Sequence, residues 1–560
     1  MDKKFMTIDG KTVEINGERN ILEVARKAGI DIPAFCYDPE LSIYGACRMC
    51  VFENERGGID ASCSAQPRDG MVIKTNTPKL RKYRKMVLEL LLANHCRDCT
   101  VCPKNNSCKL QEFARRYNLT DVRFPNNYTV TPKDVSSCSI VRDAEKCILC
   151  GKCVRVCNEI QNVGAIDYGF RSSKMKIVTA FDGELANSPC VGCGQCAAVC
   201  PVGAIVVKND SEKVWKALAD SETEVSVQVA PAVRVALGKA FGLKEGEPLM
   251  GKLVFALKAL GFDKVYDTSL GADMTIFEEA AEFLDRLNNG GKLPLFTSCC
   301  PAWVKFAEKK HHELLDNIST CRSPMGMFAS VVKHTYKGEK KHFHVAIMPC
   351  TAKKFEANRE EFAKDGVKNV DAVLSTQEII SMIKTAGIDF VAAESVAVDN
   401  PFEEFTGGGV IFGVTGGVTE AVLRFAASDK SEKTLKEIAY TGVRGLNGVK
   451  EANVKIAGKD VRIAVVSGLA NADRLIEKLE KGEVKYDFVE VMACPSGCIN
   501  GGGQPRAELK ERELRSDGLY RADEVEVKRA SDQNDLVKNI LDNMDEHLKH
   551  ELLHTSYVKR

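Results

Sequence analysis

The sequence has no surplus of charge, no long apolar run and no recognisable nucleotide loop, and each absence removes a class of function. Its 78 Lys and Arg residues balance 77 Asp and Glu, a net charge of +1, which argues against a general nucleic-acid or membrane-surface binder. No stretch approaches the ~20 consecutive apolar residues that a membrane span needs. The opening residues, Met1 to Asp9, carry neither an apolar signal core nor a twin-arginine pair, so a cytoplasmic protein is expected. The glycine runs Gly407-Gly408-Gly409 and Gly501-Gly502-Gly503 lack a following lysine and the G-x-G-x-x-G spacing, so neither reads as a phosphate cradle. They are expected instead to let the backbone approach a bulky cofactor. No flavin or NAD module is recognisable.

Cysteine, by contrast, is abundant, with 23 in 560 residues. A chain this long should form several domains, because single cores stop growing near about 250–300 residues. An extracellular disulfide scaffold fits poorly, since the chain is long, the number odd and the cysteines tightly spaced in ligand-like groups.

Phe5 to Ile8 and Thr12 to Ile15 read as strands around the Asp9-Gly10 turn. A helix follows, with Asn20 and Glu23 as a capping box and Gly29 at its end. This is how a β-grasp ferredoxin begins. Cys36, Cys47, Cys50 and Cys63 then suit a [2Fe–2S] centre, with a four-cysteine zinc site as the alternative. Lys79 to Leu92 reads as a helix delivering His95, then Cys99, Cys102 and Cys108. One imidazole and three thiolates can hold a [4Fe–4S] cubane or a structural zinc; the clusters predicted on both sides favour iron. Cys96, next to the histidine, is not expected to be a ligand.

Cys147, Cys150, Cys153 and Cys157 recur as Cys190, Cys193, Cys196 and Cys200, a repeat with a period of 43 residues. Each copy is C-x2-C-x2-C-x3-C, the two-cluster bacterial ferredoxin run, whose fourth cysteine serves the other cluster. One cubane is therefore assigned to Cys147, Cys150, Cys153 and Cys200, the other to Cys190, Cys193, Cys196 and Cys157. Beyond about residue 209, apolar strands (Val225 to Val229, His344 to Ile347, Val461 to Val466, Phe488 to Met492) alternate with amphipathic helices. That pattern predicts a large α/β region with mostly parallel sheets. Residues 506–560 read as polar helices, with His547, His550 and His554 on a solvated face. Five further cysteines sit in loops after strands: Cys299 and Cys300 in Thr297–Pro301, Cys350 after Met348, and Cys494 and Cys498 after Met492. Four thiolates complete one more cubane, and one is left over.

These segments resemble the signatures of the [FeFe]-hydrogenases: TSCCPxW at Thr297–Trp303, MPCxxKxxE at Met348–Glu356 and ExMACxxGCxxGGGxP at Glu490–Pro505. The resemblance covers almost the whole chain, in the family's long form. It implies a multidomain α/β protein with a [2Fe–2S] ferredoxin domain (1–78), a His-ligated [4Fe–4S] domain (79–137), a two-[4Fe–4S] ferredoxin domain (138–208) and a catalytic domain (209–560). The cofactors implied are one [2Fe–2S] cluster, three accessory [4Fe–4S] clusters and an H-cluster, a cubane joined to a two-iron unit bearing CO, cyanide and azadithiolate. By matching positions, Cys300, Cys350, Cys494 and Cys498 hold the cubane and Cys498 bridges to the two-iron unit. Cys299 is implied as proton relay, Lys353 as partner to a cyanide, and Pro324, Met348, Met492, Ala232 and Phe412 as pocket residues.

The reaction implied is reversible reduction of protons to H₂. Electrons would be exchanged with a ferredoxin or flavodoxin, and maturation proteins would deliver the cofactor to a monomer that binds neither nucleic acid nor membrane. Thr275 and Glu278 read as a capping box opening a helix to Gly290, which places Glu279, Glu282 and Arg286 on one stripe. By residue pattern alone this is a surface ion-pair stripe; the family's proton path matches it at Glu279, Glu282 and Ser319. Ala302, Ala232 and Met325 depart from residues common in the family. Cys96, Cys138 and Cys321 are left as small hydrophobes. Three other readings share part of the pattern: a protein that only transfers electrons, a cytosolic iron–sulfur assembly factor and a hydrogen sensor. The first leaves the last five cysteines unexplained, the second lacks the N-terminal array, and the third usually carries a signalling domain.

Overall fold

The structure is a computed structural model and describes residues 3–126, 130–364, 366–427, 430–456 and 458–560. Strand Lys4–Ile8 pairs antiparallel with Lys11–Ile15 and parallel with Val72–Lys74, the start of a five-stranded sheet completed by Val51–Asn54 and Ile59–Ala61. Helix Ile21–Lys27 buries Ile21, Leu22, Val24 and Ala25 against it. Asn20 caps that helix by accepting from Glu23 N at 3.1 Å. The expected box is open, however, because the Glu23 carboxylate accepts from Arg19 N at 2.8 Å and from the Tyr37 hydroxyl. A Thr77-capped helix, Pro78–Ala93, follows. Its Arg84 is buried and donates to Met49 O, Thr75 O and Val51 O at 3.1, 2.9 and 2.6 Å, so one guanidinium pins the helix to the loop of Cys50.

The region beyond residue 209 is built on two four-stranded sheets. The first is wholly parallel, in the order Lys264–Asp267, Thr223–Val229, Lys341–Met348, Ala372–Ser375. The second runs Leu295–Phe296, Phe488–Met492, Lys459–Ser467, Val449–Ile456, with only the last pair antiparallel. Buried Val, Ile, Ala and Leu fill the space on both faces of each sheet, as strands covered on both sides require. Thr268, Ala230, Cys299, Cys350 and Cys494 all lie just beyond carboxyl ends of these strands, where open α/β sheets collect their ligands.

The long helix spans Ser269–Asn289, beginning seven residues before the expected start. Thr275 is an interior residue whose hydroxyl donates to Gly271 O at 2.9 Å. The early turns are buried on every side, so no polar stripe marked them as helix. Asp273 there accepts from Thr406 N and Oγ1, Ser531 Oγ and Asn534 Nδ2 at 2.6–2.9 Å. Burial nevertheless lifts its carboxyl to about 6.

The two glycine runs are closely packed. A Cβ on Gly409 would lie 2.4 Å from Ser269 O, and one on Gly502 would lie 2.3 Å from Cys193 O. Both runs let segments of the chain approach one another closely. The C-terminal helices are Leu509–Glu524, Asp535–Asp542 and Glu546–Leu553. His547 and His550 are exposed as expected; His554 is not, and is partly buried. Among the described residues no helix is long and apolar enough to cross a membrane.

Candidate functional site

The strand ends converge on one pocket lined by Cys299, Cys350, Cys498 and Lys353. Pro324, Met348, Met492, Ala232 and Phe412 complete a largely apolar wall. Cys300 and Cys494 are buried behind it, close enough to Cys350 and Cys498 for each thiol to feel its neighbours' charge. Ala493 N donates to Cys300 Sγ at 3.4 Å. All five cysteines singled out by spacing therefore meet at one place. Thr268, Met325 and Gly413 also line the pocket, and Ala302 packs into the neighbouring core.

Lys353 is buried, and its Nζ donates to Glu356 Oε2 at 2.7 Å and to Cys299 O at 3.3 Å. Burial alone would lower this lysine, but the Glu356 carboxylate outweighs it, so the ammonium sits above its ordinary range. It is a fixed positive charge at the pocket wall. Glu490, also inside a signature, is fully buried. It accepts from Gly416 N at 2.6 Å and from Thr419 N and Oγ1 at 2.9 Å, holding the N-terminus of helix Gly417–Ala426 by its dipole. The partners of Glu490 lie far away in sequence and hide its role, whereas Lys353 and Glu356 stand three residues apart on helix Ala352–Glu356, a spacing that could have marked their ion pair.

A file of polar groups leads outward from Cys299. Glu279 is fully buried and accepts from Ser298 N at 3.3 Å. Burial and then the charge of Glu282 raise it to about 8, while Ser319 and Ser298 hydrogen bonds oppose them. Ser319 Oγ donates to Glu282 Oε2 at 2.9 Å, and Glu282 pairs with Arg286. Burial, then Glu279, keep the Cys299 thiol well above its ordinary range and hence protonated. Cys321 is buried beside this file and donates its amide to Ser319 Oγ at 3.3 Å.

The accessory cysteines group as spacing predicted. Cys147, Cys150, Cys153 and Cys200 line one cavity, Cys157, Cys190, Cys193 and Cys196 another, and His95, Cys99, Cys102 and Cys108 a third. Cys96 lines the third as well. The Cys36 thiol lies within hydrogen-bond reach of both Cys47 and Cys63, and the Cys50 thiol within reach of Cys63. Leu149 N and Gly192 N, equivalent positions in the repeat, donate to Cys147 Sγ and Cys190 Sγ, each at 3.4 Å. Both residues adopt left-handed backbone, with φ of 53° and 72°, which turns the amide back on the sulfur.

The donor sets fit iron–sulfur clusters. All 23 cysteines are free of disulfides, and the cysteines assigned as ligands gather in groups of soft donors. The buried thiols of Cys147 and Cys150 are pushed up to about 11 and 12 by desolvation, a cost that a bound cation removes. Burial holds His95 neutral, down at about 4, and its Nδ1 has no hydrogen-bond partner among the described residues. That is the state a metal-binding imidazole needs.

The modules interlock around these sites. Thr351 Oγ1 donates to Gly192 O at 2.7 Å, Gln161 Nε2 to Ala493 O at 2.9 Å and Gln195 Nε2 to Asn500 O at 3.0 Å. These bonds tie the second paired site to the pocket loops. Phe35, Cys36, Leu88, Cys108, Cys150 and Val202 share one hydrophobic cluster, so both N-terminal modules abut the first paired site.

Comparison with known proteins agrees with this layout. Residues 223–502 match the C-terminal domain of the iron-only hydrogenase large subunit, and 509–560 the iron hydrogenase small subunit. Residues 5–78 match a 2Fe-2S iron-sulfur cluster binding domain, 84–123 the NADH-ubiquinone oxidoreductase-G iron-sulfur binding region and 146–204 a 4Fe-4S dicluster domain. The chain is 41 % identical to the NADP-reducing hydrogenase subunit HndD of Solidesulfovibrio fructosivorans, over 100 % of both chains. It is 38 % identical to Iron hydrogenase 1 of Clostridium pasteurianum, over 99 % of this chain and 100 % of that one. A solved structure of the [FeFe]-hydrogenase HydA1 from Chlamydomonas reinhardtii superposes with a TM-score of 0.55 at 36 % identity, covering 62 % of this chain and 98 % of that one. The chain belongs to the iron-only, or [FeFe], hydrogenase family and is an oxidoreductase of that kind.

Proposed function

We propose that the pocket holds the H-cluster, with Cys300, Cys350, Cys494 and Cys498 on its cubane, Cys498 also bridging to the two-iron unit, and Cys299 carrying protons to it. The observation that carries this reading is the meeting of five cysteines and one buried ammonium in a single pocket, with a buried carboxyl file behind it. When bound, the two-iron unit supplies the place where two protons and two electrons become H₂. Lys353, held by Glu356, offers a charge to an anionic group there. Met348, Met492, Pro324, Ala232 and Phe412 exclude water. Ala232 and Met325 present no polar side chain, so this pocket gives its cofactor fewer hydrogen bonds than a serine and a glutamine would.

Protons travel along Glu282, Ser319, Glu279 and Cys299, with Arg286 fixing Glu282. The 1–78 and 79–137 domains, which would hold the [2Fe–2S] and His-ligated [4Fe–4S] clusters, both pack against the cysteines of the first paired site, and electrons would enter there. The cysteines of the second paired site in the 138–208 domain would hold the cluster that hands electrons on to the 209–560 domain. Gly502 against Cys193 O supports that last step, since any side chain there would part the two loops. A ferredoxin or flavodoxin is the carrier proposed. The full-length likeness to one component of an NADP-reducing hydrogenase favours a second reading, in which a partner protein delivers the electrons.

Protein matured with the two-iron unit is expected to evolve H₂ from reduced methyl viologen and from reduced ferredoxin. H₂ from the dye alone would favour the partner-protein reading. No H₂ from either donor would overturn the catalytic assignment.

A further inference from the structure

The C-terminal tail sets an imidazole at the outer end of the carboxyl file. Thr320 Oγ1 donates to Glu282 Oε2 at 3.3 Å and meets His554 Nδ1 at 2.9 Å. On the other side of the ring, His554 Nε2 meets Glu278 Oε2 at 3.1 Å. The tail is fastened in this position by its backbone: Arg322 N donates to Leu553 O at 2.7 Å, Thr555 N to Thr320 O at 2.8 Å, and Cys321 and His554 form a β-bridge. The file is sealed at its inner end, where Glu279 has no exposed surface. At the outer end the His554 and Glu278 side chains are 17 % and 18 % exposed. An unbroken run of hydrogen bonds thus joins water to Glu282 through groups that all accept and release protons.

We propose that His554 exchanges protons between solvent and Glu282 by way of Thr320, a mouth of the proton route separate from Arg286. The proposal rests on the reading of Glu282 as part of that route. Starting from the neutral ring with its proton on Nδ1, a proton is captured at Nε2 from Glu278 or water. The Nδ1 proton then passes to Thr320 Oγ1 while the threonine's own proton moves to Glu282 Oε2. One proton enters and one leaves for each transfer, and a ring turn restores the starting tautomer. During H₂ oxidation the same steps run outward.

Imidazole is suited to this work because its free titration lies near neutral pH and its two nitrogens face opposite ways. Glu278 faces the ring from the long helix, and Glu282 does so through Thr320. Arg322 grips the His554 carbonyl at 3.0 Å from the 320–322 segment, and the His550 ring stacks on it at 6.1 Å from its own helix.

The test uses the matured holoenzyme and two variants. His554→Gln keeps hydrogen-bonding atoms on the side chain but cannot carry the proton; Thr320→Val breaks the run one step further in. Each is expected to lower methyl-viologen-driven H₂ evolution about tenfold near neutral pH and to flatten its pH profile, at the low end of what a positioned acid–base group contributes. Imidazole added to the buffer should restore most of the rate in His554→Gln and little in Thr320→Val. A merely structural role would not produce that difference. Independently of turnover, diethyl pyrocarbonate should acylate His554 in the wild-type enzyme, as located by peptide mass spectrometry.

Wild-type rates and pH profile in both variants would overturn the proposal, as would a loss that imidazole does not rescue in His554→Gln, or a His554 closed to the reagent. Glu282→Gln separates the two ideas. If it is inactive while His554→Gln is normal, only this mouth fails. If it turns over normally, the proton route itself is wrong.

Discussion

Replacing Cys299 with alanine is expected to leave every cluster ligand in place and to cut H₂ turnover about a thousandfold, within the range for losing a proton-transferring group. The thiol lines the pocket beside Cys350 and Cys498, whereas its neighbour Cys300 lies outside that lining. Burial and the nearby Glu279 keep it protonated, so it has a proton to give. Lys353 grips the Cys299 carbonyl at 3.3 Å, a bond that alanine preserves, so the backbone should hold. Serine in its place would fill the space with a far weaker acid and is expected to recover little. The check is turnover measured beside the infrared spectrum of the same sample. An unchanged spectrum with wild-type turnover would remove Cys299 from the route.

Glu279→Gln is expected to slow turnover about a hundredfold and to change its response to pH. Burial, and then the charge on Glu282, raise Glu279 to about 8, so at pH 7 it holds a proton and can pass one on. H₂ evolution by the wild-type protein should therefore fall as pH rises through about 8. The residual rate of Glu279→Gln should lack that inflection.

The same shift carries a stability signature. The native carboxyl keeps its proton up to about 8, while an ordinary glutamate releases it near 4.5. Between those values the native state binds more protons than the unfolded state, so stability contributed by this group is full below about 4.5 and is lost as pH rises towards 8. Glutamine cannot ionise and should remove that decline. Thermal midpoints of both proteins across the window measure it, and parallel curves would contradict the assignment of Glu279 as a buried proton carrier.

Much of this was legible in the chain because thiolate ligands must be closely spaced to share a cluster. The repeat from Cys147 to Cys200 even predicted the exchange of fourth cysteines, which the two cavities reproduce. The strands around Val227, Val345 and Val489 were visible because buried parallel strands read as apolar runs. What escaped notice was contact between distant segments. The early turns of Ser269–Asn289 carry no amphipathic stripe because they are buried all round, and the capping pattern at Thr275 and Glu278 was coincidental. The close approaches of Gly409 to Ser269 and of Gly502 to Cys193 join segments far apart in sequence. His554 fell on a polar helix with His547 and His550; only the fold brings Thr320 and Glu278 to it. Glu490 and Glu356 sat within recognised signatures; the three-residue spacing of Glu356 from Lys353 signals their ion pair, but nothing local revealed that Glu490 caps a helix.

The central claim is that the five-cysteine pocket takes up the complete H-cluster. Infrared spectroscopy of the protein before and after maturation tests it most directly. The account predicts CO and cyanide stretching bands that appear on maturation and are absent from a matured Cys498→Ala variant. A matured wild-type protein with its accessory clusters assembled but no such bands would contradict it.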